Sequence, residues 1–160
     1  MGSGIACHLA NVGMEVLMLD ILPNNKKQVK LSRNSVASNA LQNALKSKPA
    51  PLYDKNFASR IKIGNFEDDF DKVADADWII EVVIERLDIK KEILEKVDQF
   101  RKEKSLVSSN TSSIPIKLLS EGRSESFKSH FCGTHFFNPA RYLRLLEIIP
   151  TENTLPEVAK

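Results

Sequence analysis

Three polar side chains in the last third of the sequence have the chemistry needed for proton transfer. His135 ends an apolar run that begins at Phe131, Glu147 lies in the next apolar run, and Ser112 follows a predicted strand at residues 105–108. An imidazole with an ordinary pKa of about 6.5 can take a proton from an alcohol while a hydride leaves the same carbon. A carboxylate beside it would fix its tautomer and stabilise the imidazolium. The three residue types therefore point to alcohol oxidation, provided that folding brings them together.

Each of these residues also has an ordinary structural interpretation. A histidine beside two phenylalanines is often structural, Ser112 suits a turn or a helix cap, and Glu147 suits a surface position. Cys132 and His135 have the spacing of a metal-ligand pair, but the sequence contains no second pair, so no metal site is predicted. Spacing alone does not decide between these interpretations.

The first 20 residues carry part of a dinucleotide-binding pattern. That pattern needs a strand, a glycine-rich turn that opens a helix, and an acid at the end of the next strand. Gly2 and Gly4 precede a predicted helix at residues 5–11, and Asp20 ends a predicted buried strand at residues 15–20. The first strand and the first two glycines are absent. Asp20 would accept hydrogen bonds from the adenine ribose of NAD and repel the 2′-phosphate of NADP, although it could also be a turn or capping acid.

The remaining patterns predict alternating strands and helices. Such alternation is typical of a doubly wound α/β fold with a parallel sheet, in which chemistry takes place at the carboxyl ends of the strands. The other predicted strands are residues 61–63, 77–83, 105–108, 131–136 and 145–149. The other predicted helices are residues 24–48, 88–102 and a short one near Pro115.

Charge and composition narrow the functional class. The net charge is +2, but the charges are unevenly distributed. Residues 24–50 contain basic residues and no acid, whereas residues 64–81 contain seven acids and one lysine. These segments are either solvated faces or, for the basic one, a surface for an anionic ligand such as the phosphates of coenzyme A. No aromatic residues interleave with the lysines, which disfavours nucleic acid. Two cysteines, no signal peptide and no run of membrane-spanning length lead us to expect a cytoplasmic protein.

Several motifs together resemble the 3-hydroxyacyl-CoA dehydrogenases of fatty-acid β-oxidation. The resemblance extends from the first residue to about Pro150, and within residues 136–150 it is strongest to the bacterial members fused to an enoyl-CoA hydratase. The motifs that carry it are Ser108-Ser-Asn-Thr-Ser-Ser113, Gly133-Thr-His-Phe-Phe-Asn-Pro139, Leu146-Glu147, Glu81-Val-Val-Ile-Glu85, Lys90, Asp20 and Met1-Gly-Ser-Gly-Ile-Ala6.

The resemblance implies roles for individual residues. It implies oxidation of an acyl-CoA thioester, a 3-hydroxyacyl-CoA, by NAD. His135 matches the catalytic base, Glu147 the acid paired with it, and Ser112 the serine that binds the substrate oxygen near the nicotinamide. The positions that match cofactor contacts are Gly2, Asp20, Glu85, Lys90 and Asn138, together with Ser112.

The resemblance also implies that parts of the enzyme are absent. Residues 1–150 match an incomplete NAD-binding domain, and residues 151–160 match the start of the connection to a C-terminal helical domain that supplies much of the substrate site and the usual dimer contact. Met1 matches an internal residue of the family, so we expect a misassigned start, a truncated gene or an excised fragment. We expect the chain alone to be inactive or nearly so. The alternatives are a non-catalytic dinucleotide-binding or interaction module and a related dehydrogenase of free hydroxy acids.

Overall fold

A computed structural model describes residues 1–24 and 32–159, which form two compact units. The first unit contains residues 1–70 and 138–144, and the second contains residues 71–137 and 145–160. Within the described ranges, no helix combines the length and the apolar character needed to cross a membrane.

The first unit consists of helices packed on two parallel strands. Helix α1 (Gly2–Asn11) ends before Gly13, whose φ of 94° lets the chain reverse into strand β1 (Val16–Asp20). Helix α2 (Ser35–Lys46) and a 3₁₀ turn (Lys55–Arg60) lead to strand β2 (Ile61–Asn65). The register of the pair runs from Val16 opposite Ile61 to Asp20 opposite Asn65. The core lies between α1, the segment that precedes β2 and the first residue of β2. It is formed by Ala6, Cys7, Ala10, Leu52 and Ile61.

The helix predicted for residues 24–48 is shorter in the structure. Helix α2 begins at Ser35; residues 24 and 32–34 are not helical, and residues 25–31, which include Val29 and three of the lysines, lie outside the described residues. Arg33 donates two hydrogen bonds of 2.6 Å to the carboxylate of Asp68, and Asn34 accepts one from Asn65. These long-range contacts anchor the segment that precedes α2. They also join the basic segment to the acidic one through Arg33.

The second unit is a four-stranded sheet with helices. Its strands are β3 (Trp78–Glu81), β4 (Leu106–Ser109), β5 (Phe131–Phe136) and β6 (Leu146–Pro150), in that spatial order. Helix α3 (Leu87–Phe100) connects β3 to β4, and the short helices α4 (Ile116–Ser120) and α5 (Glu125–Ser129) connect β4 to β5. Its largest fully buried apolar side chains include Leu94, Val107, Leu119, Phe127 and Phe131.

The predicted fold class is confirmed, with one difference in strand direction. β3, β4 and β5 are parallel, as β1 and β2 are, but β6 runs antiparallel to β5. A parallel sheet brings the carboxyl ends of β4 and β5 to the same edge. The loop that contains Ser112 follows β4 and His135 is near the end of β5, so the second unit brings both to this edge.

Candidate active site

His135 and Glu147 form a direct pair across the last two strands of the second unit. They are register partners in the antiparallel β5–β6 ladder, and Nδ1 of His135 lies 2.8 Å from Oε2 of Glu147. The side chains are 24% and 49% exposed, so the pair lies at the surface and is open to a ligand. The ring of Phe137 packs beside the imidazole, with 4.7 Å between ring centroids. The structure thus brings the two predicted residues His135 and Glu147 into direct contact.

This pairing determines which ring nitrogen can act as a base. A carboxylate is an acceptor, so we assign the proton of a neutral imidazole to Nδ1, where it is donated to Glu147. Nε2 then keeps its lone pair. It can receive a proton from an alcohol, while Glu147 stabilises the positive charge that results.

The loop after β4 is held by a single carboxylate. Oε1 of Glu85 accepts hydrogen bonds from the backbone N–H groups of Ser112 and Ser113 at 3.2 and 3.1 Å, and from the hydroxyl groups of Ser113 and Thr111. Ser112 is exposed, and its hydroxyl has no hydrogen-bond partner among the described residues. Its backbone is fixed while its hydroxyl remains available to a ligand.

Asn110 ties this loop to the strand that carries His135. Its backbone N–H donates to the carbonyl of Glu81 at 2.9 Å, and its Oδ1 accepts from the backbone N–H of Phe136 at 2.8 Å. Phe136 is the residue after His135. No role was predicted for Asn110 from the sequence, although its place in an Asn-Thr-Ser-Ser motif after a strand is a signal for a side chain that bonds to nearby backbone.

Glu85 and Lys90 belong to a polar network between β3, α3 and the loop. The ammonium group of Lys90, whose side chain is 1% exposed, contacts Glu81 Oε1 at 2.8 Å, the carbonyl of Val83 at 3.1 Å and Glu85 Oε2 at 3.2 Å. Partial burial acts to raise the pKa of Glu85, but hydrogen bonds from Thr111, Ser113 and Lys90 outweigh it and lower the pKa to about 2. Glu85 is therefore ionised at neutral pH.

The surroundings of Lys90 bear on its predicted contact with the cofactor. An ammonium group has three N–H donors, and three protein oxygens already lie within reach of Nζ. Direct contact with a cofactor stays a prediction, and it would require Lys90 to give up one of these acceptors. Glu81 belongs to the Glu81-Val-Val-Ile-Glu85 motif, but it was not among the predicted site residues.

The remaining predicted cofactor residues lie in the first unit. The N-terminus of α1 and the segment that contains Asn138 line one open cleft, to which Met1, Ser3, Gly4 and Asn138 contribute. A Cβ atom placed on Gly4 would meet nothing within 4 Å, so the helix terminus is open to a ligand there. Asp20 ends β1, as predicted, and its Oδ1 accepts a hydrogen bond from the N–H of Ile21 at 2.8 Å. Gly2 is the first residue of α1.

These residues suit a dinucleotide phosphate. The first N–H groups of an α-helix lack intrahelical acceptors and favour anions. In the described part of the chain, no three His, Cys, Asp or Glu side chains are grouped as a metal site would require. Both cysteines are free and buried, and burial raises the pKa of each thiol.

Comparison with known proteins decides the family. The model of the family described as "3-hydroxyacyl-CoA dehydrogenase, NAD binding domain" matches residues 1–160. The chain belongs to this family. The predicted family, Rossmann-type fold and cofactor NAD are thereby confirmed, and the chain is the NAD-binding domain of a dehydrogenase by family.

Individual relatives agree with this assignment. The probable 3-hydroxyacyl-CoA dehydrogenase of Bacillus subtilis (strain 168) is 53% identical over the whole chain, and the putative fatty acid oxidation complex trifunctional enzyme of Rickettsia felis is 41% identical over 93% of it. The crystal structure of 3-hydroxybutyryl-CoA dehydrogenase from Escherichia coli K12 superimposes with a TM-score of 0.79 at 27% identity, over 99% of the chain. The chain spans 22%, 20% and 32% of the lengths of these three proteins, respectively.

Proposed function

We propose that the chain is part of an enzyme that oxidises (S)-3-hydroxyacyl-CoA to 3-oxoacyl-CoA with NAD, as in fatty-acid β-oxidation. The observation that carries the proposal is the 2.8 Å contact between His135 Nδ1 and Glu147 Oε2, at the sheet edge that also carries the Ser112 loop. The names of the Bacillus subtilis and Rickettsia felis relatives support the reaction and the pathway.

In this proposal His135 is the catalytic base. Its Nε2 takes the proton of the 3-hydroxyl group, and Glu147 stabilises the imidazolium through Nδ1. The free hydroxyl of Ser112 donates to the substrate oxygen as it becomes a carbonyl. NAD, when bound, accepts the hydride that leaves C3. In the reverse direction the imidazolium returns the proton to the reduced oxygen.

The cofactor residues are assigned to two groups. Gly2 and the neighbouring N–H groups at the start of α1 would bind the pyrophosphate, Asp20 would accept hydrogen bonds from the adenine ribose, and Asn138 would line the nicotinamide site. Glu85, Lys90 and Ser112 are the other predicted cofactor contacts. The open cleft at the start of α1 and the place of Asp20 at the end of β1 support the first group.

The domain organisation and partners are part of the same proposal. Residues 1–150 form an incomplete NAD-binding domain, and residues 151–160 begin the connection to a C-terminal helical domain. The parent protein is dimeric or fused to an enoyl-CoA hydratase domain; the trifunctional name and greater length of the Rickettsia felis relative support fusion. By itself the chain has little or no turnover. A cytoplasmic location stays a prediction.

Two measurements on the purified chain test the proposal. The first follows energy transfer from Trp78, the only tryptophan, to bound NADH or NADPH, and we expect NADH to bind more tightly because of Asp20. The second follows NADH formation from (S)-3-hydroxybutyryl-CoA and from free 3-hydroxybutyrate, and we expect no more than traces. If turnover is absent, the same assay is repeated on the complete reading frame that contains the chain, where the CoA thioester should be the better substrate.

Variants at two histidines separate catalysis from structure. His135→Gln should lower kcat by about 10²–10⁴-fold, the range typical of general base catalysis. His130→Gln is the matched control. His130 lies just before β5, its ring bonds to the carbonyl of Ser126, and it has no role in the proposal. Faster turnover of the free acid, or equal losses in the two variants, would contradict the proposed reaction. NADH binding with no turnover by the complete protein would favour a non-catalytic module.

A further inference from the structure

We propose that Glu81 is a positioning residue, which acts through Lys90 and Glu85 to hold the loop of residues 110–113 and so orients the hydroxyl of Ser112. This inference rests on the proposed function only in the use made of Ser112. The contacts that carry it lie within the second unit.

Glu81 is a buried carboxylate whose two oxygens both accept hydrogen bonds. Its side chain is 1% exposed. Its Oε1 accepts from the N–H of Val83 at 2.7 Å and from Lys90 at 2.8 Å, and its Oε2 accepts from the hydroxyl of Ser109. Ser109 is the last residue of β4, so Glu81 joins the end of β3 directly to the end of the strand that leads into the loop.

Lys90 transmits the effect of Glu81 to Glu85. A buried ammonium group is costly unless counter-charges and hydrogen bonds surround it. Glu81 is its fully buried counter-ion, whereas Glu85 is 38% exposed and lies 3.2 Å from Nζ on the outer side of the network. Without the negative charge of Glu81, the only carboxylate beside Lys90 would be that of Glu85, which is partly exposed and can move with the lysine toward solvent.

Glu85 in turn determines the conformation of the loop. Its Oε2 faces Lys90, while its Oε1 accepts all four donors from residues 111–113. A shift of Glu85 therefore removes the acceptor of the Ser112 and Ser113 amides together. A second hydrogen bond also connects Glu81 to the loop, because the backbone carbonyl of Glu81 accepts from the N–H of Asn110.

Amide hydrogen exchange of the whole chain tests this arrangement without any ligand. In Glu81→Gln we expect the amides of Ser112 and Ser113 to exchange at least about tenfold faster than in wild type. Once Glu85 shifts, these amides lose their acceptor and the loop opens locally. Amides in the middle of β5 should keep their wild-type rates. Ser105→Ala is the matched control: it also removes a buried hydrogen bond, to the carbonyl of Ala76, but at the opposite end of β4.

The double variant Glu81→Gln with Lys90→Met separates positioning from stability. It removes both buried charges, so we expect it to unfold at a higher urea concentration than Glu81→Gln alone. It still lacks the link to Glu85, so the two serine amides should stay fast. Their return to wild-type protection in the stable double variant would overturn the proposal. If Glu81→Gln does not fold, the double variant alone carries the test.

NADH affinity connects the inference to function. We expect Glu81→Gln, which keeps the predicted cofactor contact Lys90, to bind NADH at least about tenfold more weakly than wild type, while Ser105→Ala binds as wild type does. Unchanged exchange at Ser112 and Ser113 overturns the role of Glu81, whatever the affinity. Failure of the wild-type chain and of its complete reading frame to bind NADH would instead count against the proposed function, and the exchange result would still decide the role of Glu81.

Discussion

Gly133 provides the sharpest test of how tightly the strands that carry the candidate site are packed. It lies in β5, two residues before His135, and is opposite Ile149 of β6. A Cβ atom added here would lie 2.9 Å from Cδ1 and 3.0 Å from Cγ1 of Ile116, and 3.1 Å from Cβ of Ile149. Carbon atoms in proteins normally pack at about 3.5–4.0 Å. Gly133→Ala therefore requires movement on two sides at once.

The two neighbours differ in how easily they can move. Cδ1 of Ile116 is the end of a side chain and can rotate, but Cβ of Ile149 is attached to the backbone of β6. Forced movement of this kind typically costs about 1–3 kcal/mol, and we expect about 2 kcal/mol because one neighbour is backbone-bound. In a chain of 160 residues, each kcal/mol lowers Tm by roughly 2–4 °C. Gly133→Ala should thus lower Tm by roughly 4–8 °C.

Thermal unfolding followed by circular dichroism measures this change, with Gly4→Ala as the matched control. A Cβ on Gly4 meets no atom within 4 Å, and alanine favours the helical backbone of α1 by up to about 1 kcal/mol. The same substitution should therefore destabilise the protein at one glycine and stabilise it slightly at the other. A Gly133→Ala variant with a Tm at or above that of wild type would refute the packing argument.

Three further substitutions test single features of the fold. The free energy of unfolding of Glu85→Gln should depend less on pH than that of wild type. Because the pKa of Glu85 is lowered in the folded chain, its carboxylate stabilises the fold above its ordinary pKa, and this stabilisation is lost as the pH falls toward about 2. Urea unfolding from pH 7 to pH 2.5 measures this, and parallel curves for variant and wild type would contradict it. Ser124→Ala removes the hydroxyl that accepts from the N–H of Phe127 at the start of α5, and should cost about 1 kcal/mol in urea unfolding. Gly122→Ala should cost about 1–2 kcal/mol although no atom obstructs the new Cβ, because φ is 73° there; an unchanged urea midpoint would count against this backbone strain.

Local patterns were sufficient for most elements of the second unit. The apolar run at residues 131–136 was predicted as a strand and is β5 with the same limits. The helical spacing of Leu94 and Val97 placed α3 correctly, and both side chains are buried. These predictions succeed because a periodic apolar face must be buried against the sheet whatever the rest of the chain does. The start of the helix predicted at residues 24–48 was wrong, since Arg33 and Asn34 bond to residues more than 30 positions away.

The sequence by itself determined which chemical groups the candidate site contains. Ser112, His135 and Glu147 are recognisable by type and motif, and the family follows from them. Only the tertiary structure decided their partners. The antiparallel direction of β6 places Glu147 opposite His135, and the fold buries Lys90 of α3 beside Glu81 and Glu85. On an amphipathic helix a lysine is expected in solvent, and the sequence pattern does not show that Glu81 and Glu85, nine and five residues earlier, will enclose it. Strand direction and the burial of a charged group depend on how the elements pack in three dimensions, which is decided only once the chain has folded.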